Sequence, residues 1–179
     1  MSEIAILTTD LAAIGTLLAQ LLTLVLVAAL MFPAKAGEIL KHVRPFIIPA
    51  AFLLTLGASI LSLVYSDVFG IAPCGLCWLQ RALLYPMPIL LGIAYFAKDT
   101  GVWKYVVGLG IPGLLIALYQ HYLQMGGVGT LPCPAAPGAA DCAQRVIFEF
   151  GYITFPLMAA TVFALTIALM FLLRKRASA

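Results

Sequence analysis

The sequence predicts an all-α integral membrane protein whose chain crosses the bilayer five times. Its 179 residues are 64% hydrophobic and only 9% charged, whereas soluble domains contain about 25% charged residues. Five stretches of roughly 20 mostly apolar residues, each long enough to span a bilayer, are separated by polar or Pro- and Gly-rich breaks. The net charge of +3 is small and dispersed, so we expect contact with membrane lipid and no nucleic-acid partner.

The first span should begin after Thr8, Thr9 and Asp10, which predict a helix cap, and it contains no charge. It does not resemble a cleavable signal, because residues 1–10 contain no Lys or Arg. Pro86 and Pro88 fall in the third span and predict kinks there, as Pro112 does in the fourth. The five expected spans are residues 11–32, 46–65, 78–97, 105–125 and 151–173.

Basic residues predict the orientation of the spans, because Lys and Arg in short loops stay on the cytoplasmic side. With five crossings, eight of the ten basic residues fall on one side, which we expect to be the cytoplasm together with the C-terminus. The N-terminus and all four cysteines then lie on the opposite, extracytoplasmic side. These eight residues are Lys35, Lys41, Arg44, Lys98, Lys104, Arg174, Lys175 and Arg176.

Two cysteines, Cys74 and Cys77, form a C-x-x-C immediately before the third span. A thiol at a helix N-terminus is more easily ionised, and the thiolate is the form that exchanges disulfides. A zinc site would need four ligands, and the spacing of Cys133 and Cys142 fits no common zinc pattern, so we expect no metal. A static disulfide is the other alternative for each pair in an oxidising compartment.

The run PCGLCWLQR at residues 73–81, a second outward pair at Cys133 and Cys142, and the helix FGYITFPLMAATVFALTIAL together resemble the disulfide bond formation protein B family (DsbB, BdbC-like branch). The resemblance covers roughly residues 45–173. It implies a four-helix transmembrane bundle plus one additional N-terminal transmembrane helix. Residues 1–44 would be that extra helix with a cytoplasmic loop, and residues 45–179 the DsbB-like membrane domain.

The resemblance also implies a function. Family members re-oxidise a soluble, DsbA-like thioredoxin-fold protein outside the bacterial cytoplasmic (inner) membrane and pass the electrons to a membrane quinone, ubiquinone or menaquinone. In the family's order, the partner attacks Cys133, Cys142 attacks Cys74, and Cys77 is released beside the quinone. All four cysteines would then be catalytic.

Cys77, Arg81 and His121 are the candidate quinone-binding residues. Arg81 lies four residues after Cys77, on the same helix face and about 6 Å deeper, where a charge is costly unless it is used. It would stabilise the thiolate and the charge on a reduced quinone. His121 should lie at a similar depth and could donate a proton or hydrogen bond. Alternatively, Arg81 reaches outward to lipid headgroups and His121 makes a structural interhelical hydrogen bond.

Two competing interpretations remain open at this point. Vitamin K epoxide reductase-like enzymes also couple a C-x-x-C on a membrane helix to a second pair, but that pair precedes the C-x-x-C, and here it follows. A non-catalytic membrane scaffold with two structural disulfides is the other alternative. It predicts that neither pair changes its redox state when thiols and quinone are added.

Overall fold

The protein is described by a computed structural model at residues 3–129, 133 and 141–174, apart from the side chains of residues 33–41. Within these residues the fold is helical, with one isolated bridge between Glu149 and Ile153 and no strand. A π-helical segment, Val64–Val68, extends the second helix, and a 3-10 turn, Thr100–Val102, precedes the fifth. The helices are α1 Glu3–Met31, α2 Pro33–Leu63, α3 Gly75–Leu84, α4 Pro86–Ala97, α5 Trp103–Gln124 and α6 Phe155–Arg174.

Five helical segments of the described chain are long and apolar enough to cross a membrane, with α3 and α4 acting together as one span. This confirms the predicted all-α membrane fold. The spans are Glu3–Met31, His42–Val68, Gly75–Ala97, Thr100–Gln124 and Phe155–Arg174.

The start of α1 differs from the sequence prediction. Thr8 and Thr9 do not cap a helix, because α1 already begins at Glu3. Their hydroxyls instead donate to the carbonyls of Ile4 and Ala5, at 2.7 and 2.8 Å. Bonding to the carbonyl four residues back satisfies a hydroxyl inside an apolar helix, so threonine is tolerated there without marking the helix end.

The stretch from Lys35 to Arg44, for which the sequence predicts a loop, is also helical. Only Phe32 separates α1 from α2, and Pro33 occupies the first turn of α2. Proline is favoured at that position because its missing N–H has no intrahelical partner there. The connection between the first two spans is therefore a helix that continues into the membrane.

Proline has different effects in two of the spans. The third span is interrupted at Tyr85, directly before Pro86, although Tyr85 keeps right-handed helical dihedral angles, so the kink itself stays a prediction. In contrast, α5 continues through Pro112 without interruption. Neighbouring helices can accommodate a proline in a membrane helix by packing around it.

The α5 and α6 helices pack closely along their length. A Cβ atom at Gly113 of α5 would overlap the ring of Phe163 of α6, and one at Gly110 would lie 2.9 Å from Cγ1 of Ile167. Small residues allow this approach, which is how helices gain packing contacts where lipid removes the hydrophobic driving force. This pair of helices is the centre of the bundle.

The helix order brings both cysteine pairs to the same end of the bundle. Here α2 ends, α3 begins at the C-x-x-C, α5 ends, and the loop carrying Cys133 and Cys142 leads into α6. At the other end, the Arg174 guanidinium lies 4.8 Å above the Trp103 ring. We call the first of these the cysteine end of the bundle.

Candidate functional site

The C-x-x-C forms the first turn of α3. Cys74 is the N-cap, and its sulfur accepts a hydrogen bond from the backbone N–H of Cys77 at 3.3 Å. The two sulfurs are free thiols 2.8 Å apart. Cys74 is buried and Cys77 is half-buried. Because the unpaired N–H groups of a helix start carry partial positive charge, this position stabilises a thiolate.

Cys133 and Cys142 form a disulfide, with Cα atoms 6.0 Å apart. Cys142 is buried and packs with Cys74, Leu76 and Leu123 in one cluster, which the partly buried Cys77 and Cys133 also contact. The two cysteine pairs are therefore packed together, with Cys142 on the inner side and Cys133 the more exposed of the two.

Gln120 of α5 connects the two pairs and was not predicted as a site residue. Its amide nitrogen lies 3.0 Å from the sulfur of Cys74, 3.4 Å from that of Cys77 and 3.5 Å from the carbonyl oxygen of Cys142. Its side-chain oxygen accepts a 2.6 Å hydrogen bond from Nε2 of Gln80. Only 1% of Gln120 is exposed, so this amide is fixed against both pairs.

A signal for Gln120 is present in the sequence, because a polar side chain within an apolar span is costly and tends to be functional. The neighbouring His121 shares that signal and is the residue predicted for the site. In the structure, Nδ1 of His121 lies 2.9 Å from Oγ1 of Thr154, just before α6. His121 thus bonds α5 to the residue that precedes α6, and it is absent from the described lining of the cavity beside Cys77.

Arg81 does lie beside that cavity. Its Nε donates to Oγ of Ser62 at 2.8 Å, and Nη2 donates to the backbone carbonyl of Ser62 at 2.7 Å. The guanidinium carbon also lies 5.3 Å from the centre of the Trp78 ring. These contacts hold the charged guanidinium within the membrane domain, one turn of α3 below Cys77. They direct it toward Ser62, near the end of α2.

The cavity has a volume of about 440 Å³ and is mostly apolar, within the usual range for small-molecule sites. Its polar groups include those of Cys74, Cys77, Arg81, Gln120 and Gln124, and the other polar residues of the lining are Thr16, Ser62, Tyr65, Gln80, Asp141, Gln144 and Thr161. Helices α1, α2, α3, α5 and α6 all contribute to its walls. It therefore connects the cysteine end to the apolar interior of the bundle.

One polar atom in the lining lacks a partner. Nε2 of Gln124 donates to the carbonyl of Gln144 at 3.0 Å, but Oε1 of Gln124 accepts no hydrogen bond from the residues that the structure describes, although the residue is 5% exposed. A buried acceptor without a donor costs about 1–3 kcal/mol. A ligand with a hydroxyl group in the cavity would remove that cost.

These features fit a flat, oil-soluble quinone. A quinone ring needs apolar walls, hydrogen-bond donors for its oxygens and, once reduced, an acceptor for its hydroxyl groups. A guanidinium has five N–H groups, of which Ser62 receives two. Arg81 thus retains donors, and Gln124 supplies an acceptor.

Comparison with known proteins identifies the family of the chain. A family model described as "Disulfide bond formation protein DsbB" matches residues 44–173. The chain belongs to the DsbB family. Disulfide bond formation protein C of Bacillus subtilis is 40% identical over 128 residues, covering 70% of this chain and 90% of that protein. No solved structure matches the chain.

Two further DsbB-family relatives cover similar parts of the chain. The SPbeta prophage-derived disulfide bond formation protein B of Bacillus subtilis is 38% identical, covering 70% of this chain and 82% of its own length. A probable disulfide formation protein of Chlamydia trachomatis is 32% identical, covering 76% and 98%. This DsbB-family chain is therefore a multi-pass membrane oxidoreductase of disulfide bond formation.

Proposed function

We propose that this DsbB-family protein is a protein-dithiol:quinone oxidoreductase. It would re-oxidise a DsbA-like, thioredoxin-fold dithiol protein and pass the electrons through its two cysteine pairs to a membrane quinone. The observation that carries this proposal is the amide of Gln120, which lies within 3.5 Å of both sulfurs of the C-x-x-C and of the Cys142 carbonyl, at the wall of a cavity that also contains Arg81.

The first step is an exchange at the loop disulfide. A thiolate of the reduced partner attacks Cys133, forms a mixed disulfide and releases Cys142 as a thiolate. The difference in exposure supports this order, because Cys133 is half-buried while Cys142 is packed against Cys74. Two events can follow. The partner's second thiol can displace Cys133 from the mixed disulfide, or Cys142 can first attack the C-x-x-C.

The second step transfers the electron pair inward. Cys142 attacks Cys74 of an oxidised C-x-x-C, a Cys74–Cys142 bond forms, and Cys77 leaves as a thiolate. The partner's second thiol then attacks the partner–Cys133 disulfide, which oxidises the partner and releases Cys133 as a thiolate. Cys133 attacks Cys142 in the Cys74–Cys142 disulfide, which restores the loop disulfide and leaves Cys74 reduced. In sum, two electrons and two protons pass from the partner dithiol to Cys74 and Cys77, and the loop disulfide is restored.

The third step returns the C-x-x-C to its disulfide. A quinone bound in the cavity supplies the acceptor for the two electrons and two protons. Arg81 would hold the ring through its remaining N–H groups and stabilise negative charge near Cys77. Gln124 would accept a hydrogen bond from a hydroxyl group, and Gln120 would orient the sulfurs. His121 remains a proposed donor that would have to leave Thr154.

The proposed setting follows the charge distribution. The cysteine end would face the extracytoplasmic side of the bacterial cytoplasmic membrane, and the end with Lys98 and Arg174 would face the cytoplasm. The family match begins at Arg44, which supports treating residues 45–179 as the catalytic membrane domain and the preceding helix as an addition to it.

The test uses the purified full chain with a reduced thioredoxin-like protein and, in turn, ubiquinone and menaquinone. We expect loss of quinone absorbance with oxidation of one partner dithiol per quinone. With a partner whose second cysteine is replaced by serine, the remaining thiolate should attack the Cys133–Cys142 disulfide, release Cys142 as a thiolate and stay on Cys133 as a mixed disulfide visible on non-reducing electrophoresis. A wild-type protein whose four cysteines keep their redox state under these conditions would be a scaffold, and the proposal would be wrong.

A further inference from the structure

The N-terminal helix α1 forms one wall of the cavity that contains Cys77 and Arg81. Four of its residues line that cavity. Their spacing places them on one side of the helix, and all have small side chains. They are Ala12, Gly15, Thr16 and Ala19. The helix lies entirely outside the segment matched by the DsbB family model, residues 44–173, so this wall is an addition made by this chain.

Side-chain hydrogen bonds fix α1 against the bundle on both sides of Gly15. Toward its start, Oγ1 of Thr9 lies 2.9 Å from the hydroxyl of Tyr65, at the end of α2. Further along, Gln20 donates to Thr161 of α6 at 3.2 Å and accepts from Tyr152 at 2.9 Å. The position of α1 is therefore specified by polar contacts as well as by apolar packing.

Between these contacts, α1 and α2 leave a gap. Gly15 of α1 and Gly57 of α2 both line the cavity and are exposed, and a Cβ atom built on either would have no atom within 4 Å. Leu53, one turn from Gly57, also lines the cavity and is exposed. Because these residues lie in the middle of membrane-spanning helices, the gap opens toward lipid and not toward water.

We propose that the gap between α1 and α2 is a lateral entrance through which a lipid-soluble quinone reaches Cys77, and that Gly15 and Gly57 keep it open. This inference rests on the proposed function. Two observations besides the small residues support a ligand here: the unpartnered buried Oε1 of Gln124 in the same cavity and the charged Arg81 at its wall.

The substitutions Gly15→Leu and Gly57→Leu test the entrance. A Cβ atom has open space at both positions, so we expect the fold to persist while the leucine side chain narrows the passage. We expect the KM for a short-chain ubiquinone to rise about tenfold. The exchange between reduced partner and the Cys133–Cys142 disulfide should stay within about twofold of wild type, because that site lies at the cysteine end.

Gly108→Leu is the matched control. Gly108 is also an exposed glycine within a membrane helix, and a Cβ atom added to it would have no atom within 4 Å, but it does not line the cavity. The gain in helix propensity from glycine to leucine is the same at all three sites. We expect Gly108→Leu to retain the wild-type KM.

Trp78 packs against Arg81, so a quinone bound in the cavity should quench its fluorescence. With the second tryptophan replaced by Trp103→Phe, this quenching measures quinone binding independently of turnover. In both entrance variants the rate at which quenching develops after mixing should fall about tenfold, whereas quenching at equilibrium should be unchanged, because a narrower entrance slows entry and exit equally. Wild-type KM and a wild-type rate of quenching in both variants would overturn the entrance and leave the proposed function intact. A wild-type protein that shows quenching but reduces no quinone would overturn the proposed function, and the quenching series would still decide whether the entrance exists.

Discussion

The two ends of the bundle are built from the same helices but from different kinds of residue. At the cysteine end, Gln80 and Gln120 form a polar network beside the sulfurs, and Arg81, hydrogen-bonded to Ser62, lies at the wall of a cavity. At the opposite end, most of the buried residues are apolar and pack against one another. They include Ile47, Met87, Leu91, Val106 and Met170, each no more than 1% exposed.

This difference indicates that stability and chemistry are separated along the helix axes. A cavity and buried polar groups reduce stability unless every group is satisfied, so the cysteine end depends on the packed end to hold its helices in place. We therefore expect substitutions at the cysteine end to change activity more than stability, and those at the packed end to do the reverse.

The largest expected effect on activity is that of Cys77→Ser. The hydroxyl is close in size to the thiol but forms no disulfide, so the C-x-x-C can no longer give up electrons. Quinone reduction, followed by absorbance, should fall by about a thousandfold or more. The temperature of unfolding should change little, and the partner should still react with Cys133. Measurable quinone reduction near the wild-type rate would contradict the role of Cys77.

At the packed end, Leu91→Ala should destabilise the protein by about 2–5 kcal/mol, because it leaves a cavity among side chains that cannot all relax into it. Leu91 is 0% exposed. Denaturant unfolding in detergent would measure the loss, and quinone reduction per folded molecule should be unchanged.

Ile93→Ala is the control on the same helix, since Ile93 is 63% exposed on the bundle surface. It should cost about 1 kcal/mol or less. Equal losses for the two variants, or a selective loss of activity in Leu91→Ala, would show that the two ends are not separated as described.

The sequence predicted the helix content, the number of spans and the pairing of the four cysteines into two groups at one end. It did so because span length, loop charge and cysteine spacing are local properties. It did not identify Gln120. Gln120 and His121 are neighbours on α5, and their side chains lie about 100° apart around the helix. Their depth in the membrane was therefore predictable, but which of the two faces the cysteines was not.

Direction is hard to predict here because apolar residues occur on every side of α5. A water-soluble helix shows its buried face through a polar stripe on the opposite side, and a membrane helix surrounded by lipid shows none. The same reasoning applies to α1. Its small residues Ala12, Gly15 and Ala19 contact a cavity that exists only after five helices have assembled.

A smaller loss of activity than that of Cys77→Ser, and the one that best sharpens the comparison, is expected for Gln120→Leu. The variant removes the amide that lies near both C-x-x-C sulfurs and leaves Nε2 of Gln80 without its 2.6 Å acceptor. Hydrogen bonds to a charged sulfur contribute about 1.5–3 kcal/mol, so quinone reduction should fall about 10- to 100-fold. The redox equilibrium of Cys74 and Cys77 against a thiol buffer should shift toward the disulfide, because the thiolate loses its donor.

The double variant Gln80→Leu/Gln120→Leu separates positioning from stability. Replacing both partners of a buried hydrogen bond with apolar side chains is nearly neutral for folding, whereas replacing one leaves the other unsatisfied. The double variant should therefore recover the unfolding temperature lost by Gln120→Leu while quinone reduction stays low and the redox equilibrium stays shifted. If activity returned together with stability, Gln120 would serve only to hold α5 against α3, and the polar network would belong to the fold and not to the chemistry.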